Sequence, residues 1–176
     1  MPKKIPYGIS NFESIMLENY IYVDKTRFIE MLENEPTKYH FLIRPRKFGK
    51  SLFLSMLWNY YDIVQKDKFE QLFGNLYIGK HPTGRQNSMF VLRFSFAGID
   101  TSNEENFTTS FTEKIKLACQ IFFAQHKDII DDIQYHDKEI GKLDKISSYL
   151  EYVIKFATQS GRKLYVIIDE YDHYAT

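Results

Sequence analysis

The chain has one cysteine, Cys119, among 176 residues. No intrachain disulfide can form, and a reducing cytosol suits such a chain. No window approaches 18 consecutive apolar residues, which excludes a membrane-spanning helix on length alone. Its 23 Lys and Arg balance 23 Asp and Glu, so no global field draws it toward nucleic acid or an anionic membrane. The start, "MPKKIPYGIS", has two lysines but no apolar stretch behind them, unlike a signal peptide. The histidines show no His-x3-His spacing and there is no paired Cys, so nothing in the pattern suggests a zinc site. Internal repeats and low-complexity tracts are missing too. One further absence matters more. "GKS" at residues 49 to 51 ends like a phosphate loop, yet Arg44 stands where the loop's opening glycine belongs.

What is present fits a globular domain with a sizeable core. Hydrophobic residues make up 44%, with 15 Phe and 13 Tyr. Cys119 falls in an apolar helical run and reads as a buried, inert thiol. Trp58, Tyr60 and Tyr61 read as core.

Local patterns place the elements. Ser10 to Glu13 reads as a capping box opening a short helix to about Glu18. "YIYVD" is a brief extended piece, after which Asp24 caps a helix that Pro36 ends. "KYHFLI", residues 38 to 43, is a β-branched and aromatic run suited to a buried strand. Lys50 to about Gln65 shows helical spacing through Leu52, Met56, Leu57, Tyr60 and Val64. "DKFEQLF" adds a turn of helix, and "GKHPTGRQNS" is the clearest loop. "MFVLRFSF", residues 89 to 96, is a second strand. Thr101 and Ser102 with Glu104 and Glu105 offer capping boxes for a long helix through about His126. The acidic stretch after it continues as helix or a frayed link. Leu143, Ile146, Leu150, Val153 and Ala157 line another helix, which Gly161 ends. "KLYVIIDEYD" is an apolar strand closing on acids. Strands alternating with helices predict an α/β domain with a parallel sheet.

Phosphate binding needs converging backbone N–H groups, a helix N-terminus, an ammonium and a hydroxyl for Mg²⁺. Residues 44 to 51 supply nearly all of these. Gly49 permits close backbone approach, Lys50 reaches the β- and γ-phosphates, Ser51 ligates the metal, and a helix follows. Arg44 and Pro45 argue the other way: a left-handed turn costs a residue with Cβ about 1 kcal/mol or more, and Pro45 biases Arg44 to an extended conformation. The loop's entry must then differ from the standard shape. A solvated basic turn, Arg44-Pro45-Arg46-Lys47, is the plain alternative, and a basic nucleic-acid patch lacks aromatic interleaving beyond Phe48. A P-loop enzyme also needs a carboxylate at the end of a buried strand. Asp169 after "LYVII" is placed for the metal side, and Glu170 to polarise an attacking water. Loop and acids in this order, each after an apolar strand, point to ATP and Mg²⁺ as ligands.

"YVDKTRFIEML", "FLIRPRKFGKSLFLSML", "VLRFSF" and "VIIDEYD" resemble the AAA-ATPase-like family of bacterial P-loop proteins, across essentially the whole chain. The resemblance implies a parallel-sheet P-loop NTPase fold of ASCE/AAA-like type, a cytoplasmic setting and ATP hydrolysis in the full-length protein. In that family an Arg-Pro-Arg-x-Phe-Gly-Lys-Ser loop replaces the standard Walker A loop, so Arg44 belongs to the pattern. By position, Arg44, Pro45, Arg46, Lys47, Phe48, Gly49, Lys50, Ser51 and Leu52 form the nucleotide loop. Ser51 and Asp169 are metal-side residues and Glu170 the catalytic acid of the Walker B strand. Asp172 matches the family's last acid, and the recurrence of "VDKT" gives Asp24 a second candidate role near the nucleotide. Many members continue into a restriction-endonuclease-like nuclease domain, the route by which nucleic acid would enter.

Such ATPases place one more strand between the loop strand and the acid strand, carrying a polar sensor, with an arginine finger later still. Only residues 171 to 176 follow Glu170. The expectation is therefore residues 1–176 as the N-terminal part of such a domain, with a helical segment at 1–36, incomplete on its C-terminal side. A homo-oligomer or a strand-completing partner would fill the gap. A non-hydrolysing interaction module and an ATPase accessory to a nuclease are the rival functions. Arg85 and Arg93 are finger candidates only by default.

Overall fold

The computed structural model describes residues 3–45 and 47–171. The chain divides into two units, Met1–Ser88 and Met89–Thr176.

The first unit is helical. Helix α1, Phe12–Leu17, starts at Asn11, whose side chain accepts from Ser14 N. The cap is thus Asn11, one residue beyond the expected Ser10, because a side-chain amide oxygen there reaches the free first-turn N–H. Helix α2 runs Arg27–Asn34 and α3 Lys50–Tyr61. A 3₁₀ segment, Ile63–Lys68, follows, with Asp62 accepting from Val64 N at its start. Two short helices close the unit, α4 at Phe69–Phe73 and α5 at Tyr77–Lys80. α1 packs on α3 and α4, and α2 on α5. Aromatic rings fill the centre: Phe12 stacks on Phe73 with centroids 5.0 Å apart, and Tyr60 meets Phe73 edge-on at 5.6 Å. Phe12 N also donates to Ser55 Oγ at 3.0 Å, tying α1 to α3. Of the expected α3 stripe, Met56, Leu57 and Tyr60 are buried, while Leu52 and Val64 are half-buried.

The expected strand at residues 38 to 43 does not form. These residues carry no regular structure, and Tyr39, Phe41 and Ile43 are 85%, 78% and 86% exposed. Strand preference reflects packing on a pleated, half-buried surface, so an apolar and β-branched run becomes a strand only where a sheet receives it. Among the described residues the sheet contains two strands, both in the second unit.

Those strands are β1, Phe90–Ser95, and β2, Leu164–Asp169, paired in parallel with Phe90 opposite Leu164 and Ser95 opposite Asp169. A parallel pair requires a long crossover. Here it carries α6 at Glu104–Gln125, α7 at Ile133–Gly141 and α8 at Ile146–Gln159. α6 packs on β1, α7 and α8, and α8 on β2. Phe90, Val91 and Leu92 are each 1% exposed, as befits a strand covered on both faces. On β2, Ile167 is buried while Val166 and Ile168 are partly open.

Two details correct the pattern reading. Asn103 caps α6, accepting from Asn106 N, in place of Thr101 or Ser102. The buried stripe of α8 runs through Tyr149, Val153 and Ala157, with Leu150 half-buried. Cys119 is fully buried, and desolvation raises its thiol pKa to about 12, so it stays a thiol at neutral pH. The result is mixed α/β with a small parallel sheet, narrower than the P-loop sheet the sequence suggests.

Candidate functional site: the 44–52 loop and the acids after the second strand

The loop belongs to the first unit and the acids to the second. Arg44 is not among the residues with positive φ. The left-handed bends fall instead at Lys47, φ 69°, and Gly49, φ 75°. That removes the objection to a side chain at position 44: the turn that needs conformational freedom lies three to five residues later. Phe48 N donates to Pro45 O at 3.3 Å, closing a tight turn. Gly49 is then the N-cap of α3, and its carbonyl accepts from Phe53 N at 3.0 Å. Having no side chain, Gly49 cannot satisfy the first-turn N–H groups of α3, and no heavy atom lies within 4 Å of where its Cβ would sit. Lys50 and Ser51 open the helix and are half-buried, as is Leu52. Pro45, Lys47, Phe48 and Gly49 are exposed. Arg46 lies outside the described residues.

Arg44 does not project into solvent. Its guanidinium carbon lies 6.0 Å from the Phe28 ring centroid and 5.8 Å from that of Phe53. The two rings meet edge-on at 6.2 Å. Sequence reasoning did not find these partners. Phe28 sits on α2, far upstream, and no spacing rule links it to the loop.

At the other candidate element, Asp169 is the last residue of β2 and Glu170 follows in a left-handed conformation, φ 52°. Asp169 Oδ1 accepts from Glu170 N at 2.9 Å, and Phe96 N donates to Asp169 O at 3.1 Å. A glutamate held at positive φ is strained by about 1 kcal/mol, and strain of this kind gathers at functional positions. Both residues are half-buried. Asp172 lies outside the described residues. Among the described residues no group of three or more His, Cys, Asp and Glu could hold a metal ion, and no helix is long and apolar enough to cross a membrane.

Comparison with known proteins adds the family. The model described as "Predicted AAA-ATPase" matches residues 6–176. The chain belongs to the AAA-ATPase-like family. A curated relative, an uncharacterized protein in the vnfD 5′ region of Azotobacter chroococcum mcd 1, is 54% identical over 56 residues. That match covers 31% of this chain and 11% of the relative, so the chain spans a small part of that protein's length. No solved structure matches the chain.

Within this AAA-ATPase-like chain, Asp24 has a clear structural task. Its Oδ1 accepts from Thr26 N at 2.8 Å and from Thr26 Oγ1 at 2.7 Å. Its Oδ2 accepts from Tyr77 N at 2.7 Å, the first residue of α5. Thr26, fully buried, accepts in turn from Ile78 N at 3.1 Å. Asp24 therefore fastens the start of α2 to the start of α5. The N-cap of α2 is Thr26 and not Asp24, since the Asx turn uses two residues before the helix begins. Thr26 is the residue the sequence reading missed, although Asp-x-Thr ahead of a helix signals that turn. Of the default arginines, Arg85 is an exposed residue 3.9 Å from Glu33 Oε2.

Proposed function

We propose that the chain is an ATP-binding domain whose 44–52 loop holds the nucleotide phosphates. Family membership supports ATP binding in general terms. The observation that carries the finer reading is Gly49: left-handed, exposed, uncrowded and placed at the start of α3. Backbone N–H groups at such a start favour an anion. In this reading Lys50 neutralises phosphate charge and Ser51 offers a hydroxyl to Mg²⁺. Mg²⁺ keeps several waters and leans on phosphate oxygens, so it needs few protein ligands. Bound Mg²⁺ would polarise the terminal phosphoryl group.

Asp169 and Glu170 take the family roles of metal-side carboxylate and general base. Glu170 would accept the proton of the attacking water, in the full-length protein together with an arginine from elsewhere. Tyr39, Phe41 and Ile43, so widely exposed, favour a second reading, a nucleotide-binding interaction module without turnover. An oligomer, a strand-completing partner or an appended nuclease would each act through such surfaces.

Titration with ATP, with and without Mg²⁺, tests the site. The wild type should bind and Lys50→Ala should bind at least tenfold more weakly. Equal heats from both would discard it. Phosphate release abolished by Glu170→Gln, with binding retained, selects enzyme over module.

A further inference from the structure

The residue that breaks the ordinary phosphate-loop pattern is the one whose side chain the first unit holds against two rings. Arg44 is half-buried, with its guanidinium over Phe28 and Phe53. Phe53 is buried in the first turn of α3, two residues after Ser51, and Phe28 lies on α2. Arg44 begins the loop and α3 is where the loop ends. Contact of Arg44 with Phe53 therefore joins entry to exit, and contact with Phe28 ties both to a neighbouring helix. The bends between them, at Lys47 and Gly49, are left-handed, and one carries a Cβ that resists that conformation. Such a turn keeps its shape only if its ends are fixed. In a standard loop an opening glycine lets the backbone fold tightly. Here an entry without a left-handed turn is fixed from outside by a planar cation on aromatic faces.

We propose that Arg44 is a positioning residue. The Arg44–Phe28–Phe53 cluster holds the backbone of residues 47–51 in its phosphate-binding shape, and Arg44 itself does not contact the nucleotide. This rests on the ATP-binding reading above. A guanidinium stacks on rings better than an ammonium does, so lysine should replace Arg44 only in part. Tryptophan offers the strongest cation–π face, so it should replace Phe28 well.

The test is calorimetric titration of Mg-ATP into the wild type, Arg44→Leu, Phe28→Leu, Phe28→Trp and the Arg44→Leu/Phe28→Leu double variant. Phe28 is 41% exposed, so its truncation should leave the fold intact, which thermal melts verify. Each leucine variant should weaken binding by about three- to tenfold, the range expected of one partly exposed cation–π contact. The double variant should be no weaker than Arg44→Leu alone, because that variant already removes the contact with Phe28, and Phe28→Trp should bind like wild type. Weakening by Arg44→Leu alone, with Phe28→Leu at wild-type affinity, would mean that Arg44 touches phosphate directly and would overturn the proposal. So would losses that multiply in the double variant. A wild type that binds no ATP would overturn the nucleotide reading itself, a different outcome from either.

Discussion

Replacing Asp24 with alanine separates two roles for the "VDKT" segment. The carboxylate accepts three hydrogen bonds, two from Thr26 and one from Tyr77 N. Because Thr26 is fully buried, water cannot replace the acceptor for its N–H. Leaving a buried donor unmet costs about 1–3 kcal/mol. The Tyr77 N–H is in an exposed setting, where water substitutes and the loss resembles that of a helix cap, roughly 0.5–1 kcal/mol. Together these predict a destabilisation of about 1.5–4 kcal/mol for Asp24→Ala. Asp24→Asn, which keeps one acceptor oxygen, should lose about half as much. Thr26→Val removes the buried acceptor of Ile78 N and should cost about 1–3 kcal/mol by the same reasoning. Trp58, the sole tryptophan, lies in α3 of the same unit, so its fluorescence reports this unit's unfolding. With a urea m-value of about 2 kcal/mol/M, the Asp24→Ala midpoint should fall by about 0.8–2 M. ATP affinity under native conditions should stay within about twofold. An unchanged midpoint together with lost ATP binding would refute the argument and make Asp24 a nucleotide ligand.

Two further outcomes follow from the same geometry. Gly49→Ala should cost only about 1–2 kcal/mol, the backbone cost of φ 75° for a residue with Cβ, because its new methyl group meets nothing. Denaturant melts showing a loss of several kcal/mol would mean unseen crowding. His136 sits flat on Phe123 with centroids 4.4 Å apart, its Nδ1 2.9 Å from Tyr152 Oη. Burial lowers its pKa, opposed by the Asp132 charge. The unfolded chain then binds the proton more readily, so this contribution is present above about pH 6.5 and is lost as pH falls through the lowered value. His136→Phe should show a shallower fall in melting temperature between pH 7.5 and 5.5 than wild type, and parallel curves would refute the assignment.

How much was legible depended on what each signal requires. Helices and β1 and β2 could be read because periodicity, caps and runs such as "LYVIID" act locally, and burial within the second unit agreed with them. The cap assignments slipped by one or two residues at Asn11, Thr26 and Asn103. In each case several adjacent residues could accept the bond, and only three-dimensional reach selects one. "KYHFLI" failed for a different reason. A strand is a property of pairs, and the sequence of one member says nothing about whether a partner is present. The Arg44 anchor was invisible for a related reason: α2 brings Phe28 to the loop through tertiary packing, which spacing does not encode.

That last point changes how the loop's departure from the common pattern is understood. A side chain at position 44 is costly only where the opening residue must turn left-handed. The structure puts that demand on Lys47 and Gly49 instead, where one position is glycine and the other carries the strain. Once the bend has moved, position 44 is free to carry a long side chain, and an extended entry before Pro45 suits one. The strain at Lys47 lies within the loop, and that at Glu170 directly follows the end of β2. Asn19, Asn87 and Asp132 also have positive φ, but Asn and Asp tolerate that region. Lys and Glu do not, so their conformations must be imposed by their surroundings. Two imposed left-handed residues among the described ones, both of them expected site residues, are harder to ascribe to turn chemistry than to the shape those sites require.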